Sequence, residues 1–174
     1  QRQMCIRDSC DTGVVVSESL RIGGDSFNEA IIQYVRCKKK LVIGPLTAEE
    51  IKISAGTVDR RSEEREVEIR GRDVISGLPK IVTLHSLEIQ RALESQVMSI
   101  LEAIKSILEK TPPELVAAIG DHGIILTGGG ALISGLDRVI SRSVGIAAYL
   151  VELPRYAVIK GVAKTLDEMS SLRD

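Results

Sequence analysis

The feature that most constrains this chain is one long apolar stripe. Leu93, Val97, Ile100, Leu101, Ile104, Ile107 and Leu108 recur at intervals that place them on one face of an α-helix. The spacing predicts a helix over Leu87–Lys110, with Ser86 as its cap. A stripe of this length serves either as a coiled-coil seam or as the packing face of a globular core, and the second is the commoner use. With 174 residues, the chain has the length of one ordinary domain or two small subdomains. That length buries about 70% of the unfolded surface without staples. What covers the stripe must be aliphatic, because the chain has one Phe, three Tyr and no Trp. The same scarcity removes the stacking platforms that single-stranded nucleic acid needs. With 23 basic and 24 acidic side chains, a general polyanion binder is excluded too, and no nucleic-acid partner is expected.

Around the stripe, strands and helices alternate. Val14–Leu20 is a β-branched strand. Gly23-Gly24-Asp25 opens a helix, with Asp25 as N-cap and Phe27, Ala30, Ile31, Tyr34 and Val35 at helical spacing. Arg36, Lys38, Lys39 and Lys40 close it with cations at the negative end of the dipole. After the Ile43-Gly44-Pro45 break, Thr47-Ala48-Glu49-Glu50 has capping-box form and predicts a short helix ending at Ala55-Gly56. Asp59–Glu64, charged and without apolar period, is expected as a solvated loop or hairpin. Arg65–Arg70 and Lys80–Leu84, joined through Gly77-Leu78-Pro79, predict an antiparallel hairpin.

Beyond the long helix, Thr111 caps a helix that Pro112 opens and that ends near Gly120. Gly123–Thr127 is expected as a short buried strand, followed by a helix from about Ala131. A strand over Ile146–Val151 and a last helix over Tyr156–Met169, introduced by Pro154, complete the chain. The order is that of an α/β or α+β protein, with a small hairpin unit inserted in an α/β body.

Gln1–Ser9 follows neither period, and Met4–Ser9 (MCIRDS) resembles a peptide that arises where sequencing-adaptor DNA is translated. A non-native or disordered tail that does not pack on the domain is expected there. Cys5, Cys10 and Cys37 form no C-x-x-C pair or zinc spacing and read as reduced thiols. His85 and His122 read as loop or cap residues. No apolar run approaches the ~20 residues of a membrane span, and the N-terminal segment lacks the apolar core of a secretory signal.

Chemistry concentrates at Gly128-Gly129-Gly130, between a strand and a helix. Three residues without Cβ allow close approach and positive φ, and a following helix start supplies unpaired amides. Such a turn suits a nucleotide, although it also serves as a plain tight turn. It is neither a P-loop nor a G-x-G-x-x-G fingerprint.

Five blocks carry a resemblance: Ile22–Val35, Ile43–Lys52, Glu64–Asp73, Thr111–Leu115 and Ile125–Asp137. In this order the chain, from about Gly13 to its last helix, resembles the C-terminal half of the MreB family, bacterial actin-like rod-shape-determining proteins. The resemblance implies the second half of an actin/Hsp70-like ATPase fold. A ribonuclease-H-like subdomain is expected over 10–40 and 85–174, with a small α+β subdomain inserted over 41–84. It implies ATP and Mg2+ as cofactors, homopolymer filaments, and membrane proteins of cell shape and wall synthesis as partners. It further implies a cytoplasmic location at the inner face of the inner membrane, with the membrane-inserting elements in the other half. ATPase activity is expected of the full-length family and not of this half alone, and no catalytic residue is assigned here.

Residue by residue, Glu49, Glu50, Ile51 and Lys52 match the family's adenosine-contacting helix. Glu49 would accept from the ribose hydroxyls and Lys52 would lay its stem on the adenine. On sequence alone a solvated helix face with i, i+3 pairing is the favoured reading of both. Gly128, Gly129, Gly130 and Ala131 match the loop that packs on the nucleoside and its phosphates, while Gly23-Gly24-Asp25 is assigned mainly to capping. Glu50 stands where the family often has Arg, and Arg155-Tyr156 where Leu-Thr is common. Asp11-Thr12-Gly13 falls outside the family's second phosphate loop. Other readings of the same fold are a chaperone, a sugar kinase, or a non-catalytic interaction module.

Overall fold

The computed structural model describes residues 4–10 and 13–171. Its spine is the helix α3 (Ser86–Lys110), whose Ile89, Leu93, Val97, Ile100, Leu101, Ile104 and Ile107 are buried. This is the predicted stripe, and it packs as a core face. On one side lies α1 (Gly24–Tyr34), which buries Phe27 and Ile31, and α2 (Pro45–Ala55), which buries Ala48, Ile51 and Ala55. On another lies an antiparallel pair, β1 (Met4–Cys10) and β2 (Gly13–Leu20), which sets Met4, Ile6 and Leu20 against the core. Fully burying a side chain such as Phe27, Ile31, Ile51 or Leu93 contributes about 1.5–3 kcal/mol of transfer free energy.

Residues 41–84 hold α2 and most of a three-stranded antiparallel sheet, ordered β3 (Leu41–Val42), β4 (Glu66–Asp73), β5 (Pro79–His85). The predicted hairpin is β4–β5, in register from Glu66 opposite His85 to Arg72 opposite Pro79. After α3 come α4 (Pro113–His122), β6 (Ile124–Leu126), α5 (Leu136–Val144), β7 (Ala148–Leu150) and α6 (Ala157–Ser171). β6 and β7 pair in parallel, and α5 adds Leu136 and Ile140 to the core.

Several boundaries differ from expectation, each for a local reason. Met4–Cys10 is a strand and not an unpacked tail: its alternation sets Met4 and Ile6 inward, opposite Leu20 and Glu18. Residues 1–3, with Asp11 and Thr12, lie outside the described residues. Helix α1 is capped at Gly23, not Asp25; the Gly23 amide donates to Ser26 Oγ at 2.7 Å, and the hydroxyl returns a bond to the Gly23 carbonyl. Helix α2 begins at Pro45, before Thr47, because proline presets the helical φ and has no amide to lose.

Ser86 lies inside α3. His85 is the N-cap and Glu88 Oε2 accepts its amide, while Ser86 Oγ takes the Arg65 amide and ties the helix to β4. Thr111 caps the end of α3 instead of starting α4, its hydroxyl donating to the Ile107 carbonyl at 2.9 Å. Strand β6 is half-exposed and not buried, with Ile125 open to solvent. After α1, Val35–Lys39 forms a π-helical turn that closes on Lys40 at φ 55°. That turn delivers Lys39 Nζ to Glu88 Oε1 at 2.8 Å.

Burial raises the affinity of Glu88 for its proton. The Lys39 ammonium and the His85 amide outweigh it and hold the carboxyl below its ordinary 4.5. A carboxylate depressed in the folded state contributes stability above its unfolded pKa and loses it as pH falls through the folded one. Thermal midpoints should therefore fall below about pH 5, and Glu88→Gln should flatten that acid limb while lowering the midpoint at neutral pH. A second expectation concerns β1. Removing residues 1–10 should cost more than about 1 kcal/mol, roughly 2–4 °C in midpoint for a chain of this size, measured by circular dichroism.

Candidate nucleotide site

Two elements carry the residues singled out from sequence. On α2, Glu49 and Lys52 lie one turn apart on one face. Lys52 Nζ donates to Glu49 Oε2 at 2.6 Å and to the Gly24 carbonyl at 3.1 Å. Asn28 Nδ2, from α1, donates to the same Glu49 oxygen at 2.8 Å. The Lys52 side chain is 12% exposed and that of Glu49 34%, so the pair borders solvent and still fixes α2 to the start of α1. Gly23-Gly24 thus does more than cap: its carbonyl anchors Lys52. The buried Asn28 Oδ1 accepts no hydrogen bond among the described residues, which leaves one acceptor in hand beside Glu49.

The other two positions on α2 diverge from this face. Glu50 is exposed, and Ile51 is 1% exposed within the core. Ile51 is corrected from a cofactor contact to a packing residue, since the 100° step between neighbours turns it away from Glu49 and Lys52.

The second element is the glycine turn. Gly128 stands at φ +83° and its amide donates to the Pro154 carbonyl at 2.9 Å. Gly129–Leu132 is a short 3-10 turn in which Ala131 is buried. No α-helix begins at Ala131; α5 starts only at Leu136, after Gly135 at φ +83°. The α5 dipole is therefore not aimed at the glycines, and what the turn offers is its own first amides.

A Cβ added at Gly128 would meet nothing within 4 Å, at Gly129 only Arg155 near 3.9 Å, and at Gly130 only Met4 Cε at 3.9 Å. Gly44, Gly77, Gly120, Gly145 and Gly161 are equally open, whereas at Gly123 a Cβ would strike the Tyr149 ring and the Ala147 carbonyl, and at Gly135 the Asp59 side chain. The chain's own packing does not use the space over the glycine turn. Arg155, one of the two departures from the resembled pattern, brings a guanidinium beside it.

The stretch expected as a solvated loop supplies the link between the two elements. Leaving α2, Thr57 forms a parallel bridge with Ser134, and the Ser134 carbonyl accepts the Val58 amide at 3.0 Å. Asp59, 2% exposed, accepts from Arg138 Nε at 2.9 Å and from Arg142 at 2.6 Å. Burial opposes its ionisation, but the bonds from Arg142, the Arg61 amide and Arg138 prevail and hold it below the usual carboxylate range. Periodicity missed Asp59 because a lone aspartate among charges resembles solvated sequence. Two arginines four apart on α5 were the available signal.

Among the described residues, no group of three or more His, Cys, Asp or Glu converges on a metal position. No helix among them is long and apolar enough to cross a membrane. Cys5 and Cys37 are free thiols.

The family model described as MreB/Mbl protein matches residues 9–174. The cell shape-determining protein Mbl of Bacillus subtilis is 43% identical over 159 residues, 91% of this chain and 48% of that protein. The cell shape-determining protein MreB of Escherichia coli K12 is 45% identical over 155 residues, 89% of this chain and 45% of that protein. The chain spans about half the length of these relatives. Among solved structures, MreB5 of Spiroplasma citri bound to AMPPNP superposes with a TM-score of 0.92 at 31% identity, over 99% of this chain and 53% of that one. The MamK double helical filament, at 22% identity, shares the fold with a TM-score of 0.67 over 80% of this chain and 43% of that one. The fold is actin-like.

Glycine substitutions should separate the two kinds of glycine. Gly129→Ala should change stability by no more than about 0.5 kcal/mol, whereas Gly123→Ala, strained in φ and sterically blocked, should cost about 1–3 kcal/mol. Chemical denaturation of both variants checks this.

Proposed function

This chain belongs to the MreB/Mbl family of cell shape-determining, actin-like proteins, and we propose that it forms one wall of an ATP-binding cleft in a filament-forming member. The observation that carries the proposal is the conjunction at Gly128–Gly130 of uncrowded backbone, the first amides of a 3-10 turn and the Arg155 side chain beside Gly129. A family relative that superposes on nearly the whole chain holds AMPPNP.

The residues fit a nucleotide. The Glu49 carboxylate suits ribose hydroxyls, which need acceptors, and the Lys52 stem gives an apolar edge for a base. The first amides of the 3-10 turn and the Arg155 guanidinium suit phosphate oxygens. Bound ATP would supply the phosphoryl bond whose cleavage the family's assembly cycle uses. Residues of this chain bind and orient it, and no phosphoryl-transfer step is assigned to them. Among the described residues no group of three or more His, Cys, Asp or Glu could hold Mg2+, and no Mg2+ ligand is assigned to this chain.

The wider reading extends the family relationship. The protein polymerises with copies of itself beneath the inner membrane, on the cytoplasmic side, and organises wall synthesis through membrane-protein partners. The filament made by MamK, a protein of the same fold, supports self-assembly.

Titrating AMPPNP into the 174-residue chain by calorimetry tests the nucleotide site. Saturable binding should appear, and Gly129→Val should weaken it by about tenfold or more while the thermal midpoint stays within about 2 °C. Equal affinity in the two proteins would remove the glycine turn from the site.

A further inference from the structure

The glycine turn and the α2 pair belong to different parts of the chain, and a nucleotide that touches both needs them at a fixed separation. We infer that Asp59 is a positioning residue for the nucleotide site, clamping the end of α2 to α5 and so to the glycine turn. The inference rests on the assignment of the site above.

The linkage is continuous. The Gly56 amide donates to the Lys52 carbonyl at 3.1 Å and closes α2 one turn beyond the lysine. A Cβ on Gly56 would collide with that carbonyl, so the exit from α2 is tightly shaped. Thr57 Oγ1 and the Val58 amide then both donate to the Ser134 carbonyl, at 3.2 and 3.0 Å. Ile133, next to Ser134, returns its amide to the Gly130 carbonyl at 3.4 Å. Two bonds thus lead from the exit of α2 to the third glycine. Asp59 locks this arrangement from behind. Its two carboxylate oxygens hold Arg138 and Arg142, Arg138 also donates to Ser62 Oγ at 3.1 Å, and Gly135 is small enough to let the Asp59 side chain close on the backbone.

The burial is asymmetric. Asp59 is enclosed, while Arg138 and Arg142 keep 55% and 43% of their side-chain exposure. Removing the carboxylate leaves cations that water can solvate; removing an arginine leaves a buried charge short of a partner. Asp59→Asn is accordingly the gentler probe, since it keeps the volume of the side chain and one acceptor oxygen.

The test is hydrogen exchange on the 174-residue chain, with AMPPNP affinity measured in parallel on wild type, Asp59→Asn and the mildly destabilised core variant Ile107→Val. In Asp59→Asn, amides of Gly56–Val58 and Gly128–Ser134 should exchange about tenfold faster while α3 amides keep their rates, and AMPPNP should bind about five- to tenfold more weakly. Ile107→Val should show neither change. Unaltered exchange over Gly128–Ser134, or equal loosening in both variants, overturns the clamp. If exchange responds as expected and wild type binds AMPPNP, unchanged affinity in Asp59→Asn overturns the positioning role. If wild type itself fails to bind AMPPNP, the nucleotide assignment falls, taking the positioning role with it; exchange then decides only whether the clamp exists.

Discussion

The fold depends on covering one face of α3. That helix touches α1, α2, α5 and strands β1, β2 and β5, so these elements are positioned by where they meet the stripe from Ile89 to Ile107, and β7 is reached through α5. Because the covering residues are aliphatic and nearly free of aromatics, no single large side chain dominates. Many modest burials act together, and a substitution that leaves a void in the stripe is felt by several elements at once. The site elements inherit their stability from this arrangement. Helix α2 packs on α1 and α3, and α5 packs on α3.

Polar groups then decide where the elements stop and how they join. Glu88 closes the start of α3 and receives Lys39 from the π turn. Ser86 and Thr111 each satisfy backbone groups where α3 meets a strand or a loop. Asp59 does the same between two segments far apart in sequence. The glycines divide along the same line. Gly123 and Gly135 are small because protein atoms crowd them, whereas Gly128–Gly130, like Gly44, Gly120 and Gly145, are uncrowded, and they alone open a 3-10 turn beside Arg155. An unfilled space beside backbone amides is what a bound molecule requires, and that distinction is visible only in three dimensions.

The legible parts of the sequence were those with a period. The stripe of α3, the alternation of Glu66–Arg70 and the spacing of Phe27, Ile31 and Val35 each repeat long enough to declare helix or strand, and the structure follows them. Cap residues were less legible, because Ser86, Asp25 and Thr47 have cap chemistry without the position: local partners (Ser26 for Gly23, Glu88 for His85) and Pro45 set the true start one to three residues earlier. β1 was missed for the opposite reason. Seven residues with charges between apolar ones look unpatterned until β2 is there to pair with them. Glu49, Lys52 and the glycines were singled out through family likeness, and the structure gives Glu49 and Lys52 a shared hydrogen-bonded face. Ile51 was carried over with its neighbours although helix geometry turns it inward. Asp59 stayed hidden because its partners lie about eighty residues away.

That distance has a consequence for the order in which the protein is built. The β1–β2 and β4–β5 hairpins and the turns of α3 join near neighbours, and local contacts form early because little chain must be ordered to make them. The bonds of Asp59 to Arg138 and Arg142 span 79 and 83 residues, and they require α2, α3 and α5 to be in place already. On a ribosome, Asp59 emerges long before its arginines exist, so its carboxylate remains hydrated through most of synthesis. The spacing of α2 and the glycine turn is therefore acquired at the end of folding. Until then the nascent chain carries a core and two elements not yet joined.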